Sequence, residues 1–232
     1  MKMYYDLHIH SCLSPCASDD MTPANIAGMA HIKGLSLVSL TDHNCGRNLP
    51  AMANAAKTFG LVFVPGIEIT SREEVHVLAY FDDVGAAVEF GERMYASLAP
   101  VPNRPEIFGR QIQMNMHDSI AGEADKLLLT ATSYTIDELA VMVKKHGGCA
   151  VPAHINRDSF SVFSNLGYFP VNLFQCAEVS DQTPLPAMPP GLCLLRSSDA
   201  HQLEDISEPD FFLNDISRAS DLVFFINNYP LF

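Results

Sequence analysis

The segment Asp6-Leu7-His8-Ile9-His10-Ser11 sets two histidines two positions apart. On an extended stretch alternate side chains share a face, so His8 and His10 can grip one ion together. Alone, that spacing says little. Its weight comes from Thr41-Asp42-His43, Gly66-Ile67-Glu68, His76, His154 and Asp199-Ala200-His201. Each lies at the end of, or within, an apolar run. Neutral imidazoles and carboxylates are ligands for divalent ions, and a carboxylate can bridge two of them. Of nine histidines, six sit at these positions. His31, His117 and His146 fall in helical or intervening segments and read as ordinary. One such histidine could simply be packed or hydrogen-bonded. Six of them with Glu68 and Asp199 make up enough ligands for more than one ion.

Alternating elements must present these residues. Tyr4 to His8 reads as a strand. Thr22-Pro23 opens a helix that Gly34 closes. Leu35 to Leu40 is an apolar strand leading into Thr41-Asp42-His43. A helix follows from Asn48 and Pro50 to near Gly60, then strands from Leu61 to Ile69 and from Val75 to Phe81. Val84 to Leu98 looks helical. The stretch 99–133, with Pro100, Pro102 and Pro105, is irregular and long for a plain connection. The chain therefore reads as one domain, 1–232, with an insertion or lid at about 84–133. Thr135-Ile136-Asp137-Glu138 is a capping box, and its helix ends at Gly147-Gly148. Cys149 to Ala153, Gln175 to Ser180 and Leu192 to Ser197 are further strands. About seven strands separated mostly by helices predict an α/β fold with a parallel sheet or barrel. The candidate ligands then fall at strand C-terminal ends, where such barrels build sites. His76, near the start of its strand, is the exception.

The bulk composition narrows the function. The chain has 232 residues, 48% of them hydrophobic, which supports a sizeable core. A formal net charge of −13 argues against non-specific nucleic-acid binding, where Lys and Arg must neutralise phosphates. Bound divalent ions would offset part of that charge locally. No secretion signal and no run of 18 apolar residues is read, so neither a leader nor a membrane span is expected. Six cysteines without a C-x-x-C spacing read as reduced thiols, consistent with a cytoplasmic protein. Cys12 and Cys16 flank the first motif and read as loop or core thiols rather than ligands. No nucleotide-binding glycine motif or G-x-S-x-G is present.

Taken in order, D-L-H-I-H-S at 6–11, T-D-H at 41–43, G-I-E at 66–68, V-H-V-L at 75–78, P-A-H at 152–154 and S-D-A-H at 198–201 resemble the PHP family, the polymerase and histidinol phosphatase domains. The resemblance spans nearly the whole chain apart from the insertion. It implies a distorted (β/α)7 TIM-like barrel with two or three divalent metal ions, Zn, Mn or Fe, at the strand C-terminal ends. It further implies that His8, His10, Glu68 and Asp199 hold one ion. Glu68, His76 and His154 would hold a second, with Glu68 bridging. His43 and His201 would hold a third, with a residue from the loop after the first motif. Relatives carry an Asp there. In Ala17-Ser18-Asp19-Asp20-Met21 either Asp19 or Asp20 could serve. Asp42 is expected to orient a ligand histidine.

Closely spaced divalent ions lower the pKa of a bound water toward roughly 7 and stabilise charge building up at phosphorus. The expected activity is therefore metal-dependent phosphoester hydrolysis of a small phosphorylated metabolite or nucleotide by metal-activated hydroxide. Asp199 and His201 are the residues to test for protonating the leaving group. Arg157, three residues after His154, resembles a phosphate clamp, although it could instead be a surface Arg paired with Asp158. Arg47 is a second candidate, and Asn103, Arg104 and Gln111 could reach the site if the insertion folds over it. Three alternatives stand beside this reading. One is a PHP-type nuclease or exonuclease, which the acidic charge disfavours. Another is a non-catalytic metal-binding PHP module, which the near-complete ligand set disfavours. The third is an amidohydrolase, whose typical strand lysine is missing except at Lys2. Oligomeric state is not legible.

Overall fold

The computed structural model describes residues 2–180, 184–185 and 187–230. Its strands are β1 (Lys2–Asp6), β2 (Leu37–Leu40), β3 (Val62–Thr70), β4 (His76–Tyr80), β5 (Ile112–Met114), β6 (Ile120–Glu123), β7 (Cys149–Pro152), β8 (Cys176–Val179), β9 (Cys193–Arg196) and β10 (Phe212–Asn214). Its helices are α1 (Pro23–Ile32), α2 (Leu49–Phe59), α3 (Val84–Ser97), α4 (Pro105–Phe108), α5 (Ile136–Lys145), α6 (Val162–Leu166) and α7 (Ala219–Asn227).

Local chemistry sets several boundaries. The Thr22 hydroxyl accepts from Asn25 N at 3.3 Å to start α1. Gly60, at φ 70°, ends α2 in the left-handed conformation that glycine tolerates. The expected capping box at Thr135 and Glu138 is formed.

One sheet has the order β10-β1-β2-β3-β4-β7, and β8 and β9 form a separate parallel pair. The arrangement is α/β, as expected, but it is not uniformly parallel. β4 runs antiparallel to both β3 and β7. Its first residues therefore lie at the same end of the sheet as the last residues of its neighbours. That explains His76, which pairs in register with Thr70 at the end of β3.

Two apolar layers flank the strands. One holds Val38, Leu40, Ile67 and Ile69 against residues of α1, α2, α3 and α5. The other gathers alternate residues of seven strands: Met3 and Tyr5, Leu37, Val64, Leu78 and Tyr80, Val151, Cys176 and Leu195. Leu222, Val223 and Ile226 of α7 pack onto that second layer. Within the stretch expected to be an insertion, α3 sends Ala87, Phe90 and Met94 into the first layer. Beyond it, β5 and β6 form a hairpin. Asn48 fastens the hairpin by donating to Ile112 O at 3.1 Å and accepting from Met114 N at 2.8 Å. No described helix is long and apolar enough to cross a membrane.

Candidate metal centre

Just beyond β1, the backbone turns past the loop after β9. His10 N donates to Ala200 O at 2.9 Å. Buried Asp6 holds that loop by accepting from the Ser198 hydroxyl at 2.6 Å and from Ser207 N at 2.8 Å. Together these contacts bring Asp199 and His201 beside His8 and His10.

The proton positions around the two histidines follow from their partners. A carboxylate only accepts, so His8 Nδ1 donates to Glu178, 2.9 and 3.0 Å from its two oxygens. Ser14 Oγ lies 2.8 Å from Asp42 Oδ1 and spends its own proton there. The same oxygen, 2.9 Å from His10 Nδ1, must then accept from it. In the neutral rings both Nε2 atoms therefore carry lone pairs. These atoms face each other at 3.1 Å. His201 Nδ1 donates to Asp199 O at 2.8 Å, which leaves its Nε2 as a lone pair too.

Glu68, 1% exposed, is the hub. Its Oε1 is 2.9 Å from His76 Nδ1 and 3.3 Å from both His8 Nε2 and His154 Nε2. Its Oε2 is 3.0 Å from His43 Nδ1 and 3.4 Å from His10 Nε2. Asp199 Oδ1 lies 3.1 Å from Nε2 of both His8 and His10. Despite this crowding, buried Glu68 Oε2, His43 Nδ1, His154 Nδ1 and Asp199 Oδ1 make no hydrogen bond. Leaving such groups unmatched costs roughly 1–3 kcal/mol each. Ligand atoms about 2.0–2.1 Å from a tetrahedral ion stand ~3.3 Å apart, close to the separations seen here. The ligand atoms of His8, His10 and Glu68 converge as one group, those of His43, Glu68 and His76 as a second, and those of His10, His43 and His201 as a third. The donor set fits divalent ions.

Electrostatics point the same way. Burial works against the charge on Glu68, but His76, His8 and His43 override it and hold the carboxyl well below its usual range. Asp199 is likewise held low by His8 and His10 against the effect of burial. Burial also opposes charge on His10 and His43. Asp199 and Glu68 nevertheless lift His10 to about 9, and Glu68 with the Cys16 thiol lifts His43 to about 9. For His76 burial outweighs Glu68 and leaves it near 4, while burial and the charge on His10 leave His201 near 3. Without metal, then, two depressed carboxylates draw protons onto neighbouring rings, where ions would otherwise sit.

The structure gathers His8, His10, His43, Glu68, His76, His154, Asp199 and His201. Arg157 reaches the same place through Nη1, which donates to Asp199 Oδ2. Arg47 does not. It pairs with Glu92 at 2.6 Å and stacks on Tyr95. Asp19 faces Arg110 at 3.5 Å on the surface. The Asp20 carbonyl accepts from Asn25, and neither Asp is in the converging groups. Gln111 is spent on the backbone of Ala124, Lys126 and Leu128. Asn103 bonds the backbone of Gly109 and Asp125, and Arg104 leans over Phe108.

Sequence reasoning missed Glu178 and Ser14. Glu178 had a signal, as a charged residue inside the apolar strand Cys176–Val179 that needs a partner to be buried. Backbone strain gathers here as well. Asn44, His154, Phe160 and Asp199 are non-glycine residues with φ of 50°, 27°, 53° and 54°, a conformation that persists where surroundings enforce it.

Over 76 residues the chain is 36% identical to a 3',5'-nucleoside bisphosphate phosphatase of Chromobacterium violaceum. That match covers 32% of this chain and only 26% of the phosphatase. In structure it is similar to a Bifidobacterium adolescentis protein provisionally described as a metal-dependent phosphoesterase. The TM-score is 0.62 at 17% identity, over 99% of this chain and 97% of that one. It is equally similar to the lesion-specific Endonuclease Q of Pyrococcus furiosus. There the TM-score is 0.62 at 20% identity, over 88% of this chain and 49% of that one. The resemblance to the PHP phosphoesterases stands. At these identities the structural likeness shows a shared fold alone, and all three proteins are named as hydrolases. No family model matches the chain.

Proposed function

We infer that the chain is a metal-dependent phosphoester hydrolase acting on a small phosphorylated metabolite or nucleotide. The observation that carries this reading is the convergence of histidine lone pairs on Glu68, with Arg157 beside it. His8, His10, His43, Glu68, His76, His154, Asp199 and His201 would hold two or three divalent ions, drawn from Zn, Mn and Fe. Such ions, when bound, supply a nucleophilic oxygen near neutral pH and Lewis acidity toward a phosphoryl group.

The chain's own groups do the rest. Glu178 and Ser14 fix the tautomers of His8 and His10, so that both present Nε2. Arg157 offers a planar set of donors suited to phosphate oxygens, and Asp199 holds it at the mouth. Asp199 and His201 are the first groups to test at the leaving oxygen; both are held unprotonated in the metal-free fold, so either would have to gain a proton before it could donate one. The strands β1, β2, β3, β4, β7, β8 and β9 would enclose a distorted seven-stranded barrel beneath the site. Ile155 N donating to Glu178 O at 2.9 Å and the His10–Ala200 bond support closure at both seams.

A second reading, a nuclease, is favoured by one observation. A structure of Endonuclease Q, whose fold covers 88% of this chain, holds a 27-mer duplex with an abasic lesion at its active site. The net charge of −13 therefore does not decide between a small ester and a strand. The His10→Ala variant tests the function. It should bind less metal per chain and lose phosphomonoesterase activity by at least ~100-fold. Undiminished turnover in metal-stripped His10→Ala would sink the mechanism. Cleavage of duplex DNA with no hydrolysis of any small ester would favour the nuclease.

A further inference from the structure

The cavity over the metal centre has a volume of about 150 Å³ and is lined by His43, Glu68, His76, His154, Arg157, Ser159, Phe160, Asp199 and His201. Every lining side chain but one is ionisable or hydroxylated. Phe160 is the exception. Its ring stacks on His76, with centroids 4.7 Å apart and planes inclined by 22°. One face is thus covered, yet the residue remains 41% exposed.

Three features hold it there. Its φ of 53° is one that a bulky residue avoids. Its carbonyl accepts from His76 N at 2.9 Å, which locks the loop to the start of β4. The next residue, Ser161, is the N-cap of α6 and accepts from Ser164 N at 3.2 Å. A hydrophobic residue before an N-cap commonly packs against an apolar fourth helical residue. That residue here is Asn165, which is turned away to the carbonyls of Glu73 and Glu74. Helix capping therefore does not account for the ring. An exposed phenyl beside a charged site gains nothing from water. A flat apolar surface next to a phosphate-binding group is what a planar aromatic substituent on a phosphate ester would stack on.

Resting on the hydrolase reading above, we propose that Phe160 is a stacking platform that selects phosphate esters whose alcohol carries a planar aromatic group, nucleosides foremost, over those of plain sugars. Adenosine 5'-monophosphate and ribose 5-phosphate carry the same ester on the same sugar, with and without a base. The ratio of their kcat/KM values in the metal-loaded enzyme reads the platform alone. The wild type should favour the nucleotide. Phe160→Ala should cut the ratio by about tenfold, in line with stacking measured elsewhere by alanine substitution. Phe160→Trp should restore it. Metal content is measured in every variant. If Phe160→Ala depresses both esters equally, the ring only shields His76 and the proposal is overturned. A wild type with no preference for the base overturns it as well. If neither ester is hydrolysed, the hydrolase reading fails separately, and calorimetric binding of the same two compounds decides. A base preference lost in Phe160→Ala supports the platform, and no preference removes it.

Discussion

At Ser14 one hydroxyl meets three demands. It donates to Asp42 and accepts from His10 Nδ1 and from His43 N, the last at 3.1 Å. Asp42 is fixed in turn by Ser11 N at 2.7 Å and by the Ser11 hydroxyl at 2.6 Å. This relay lets Asp42 orient His10 without touching it. Ser14→Ala removes the acceptor and frees the imidazole to rotate or switch tautomer. Metal affinity, measured by competition with a chelator, should fall about tenfold, as outer partners of ligand histidines typically require. Unchanged affinity would show that the tautomer is set by something else. Arg157→Ala should raise KM for phosphoesters about tenfold while changing kcat less. An unaltered kcat/KM would remove Arg157 from the site. At this scale the histidines and Glu68 were legible because each stands in a short local motif. Ser14 was not, and Glu178 showed only that it needed some partner, not which one. Their roles depend on partners 28 and 170 residues away, a separation that local spacing does not encode.

At the scale of elements, the direction of β4 decides where His76 goes. Its sequence showed a strand with the ligand at the unexpected end, and only the antiparallel pairing with β3 resolves that. The loop after β2 is held by Asn44, at φ 50°. Its amide donates to Leu128 O at 2.7 Å and Thr130 O at 3.1 Å, and its oxygen accepts from Thr70 N at 3.0 Å. One side chain thus joins β2, the end of β3 and the segment before α5, directly beneath His43 and Glu68. Asn44→Ala would strand these backbone groups and lose a residue that tolerates left-handed backbone. A loss of about 3 kcal/mol is expected in urea unfolding of the metal-loaded protein. A loss below about 1 kcal/mol would show the loop is held by its packing instead. The short elements β5, β6, β10 and α6 escaped the sequence reading. At three to five residues each, they carry too little periodicity to register.

For the whole molecule, the balance of charge at the centre couples folding to pH and metal. His10 and His43 hold their protons to about 9 in the metal-free fold, against about 6.5 in an unfolded chain. Raised values mean that their contribution is complete below about pH 6.5 and is lost as pH rises through about 9. The Tm of chelated protein should therefore fall across that window. His76 and His201, lowered to about 4 and 3, act in the opposite sense and cost stability as pH drops below about 6.5. If His10 and His43 hold metal, as proposed, bound ions would replace their protons. The alkaline fall should then vanish, and metal affinity should rise with pH. A chelated chain whose Tm is flat from pH 6.5 to 9 would contradict this balance. The α/β class and the gathering of candidate ligands at one end of the strands were readable from alternating apolar runs. The mixed strand directions were not, because a buried strand looks the same in either orientation.

If the cluster around Glu68 holds ions that hydrolyse phosphoesters, activity must follow metal occupancy. The most direct test titrates Mn²⁺ into chelated protein while following both bound metal per chain and turnover on a panel of phosphomonoesters and phosphodiesters. The chelated chain should show no turnover, and activity on at least one ester should rise in step with occupancy. A fully loaded chain inert toward the whole panel, or a chelated chain as active as the loaded one, would contradict the metal-dependent hydrolase reading.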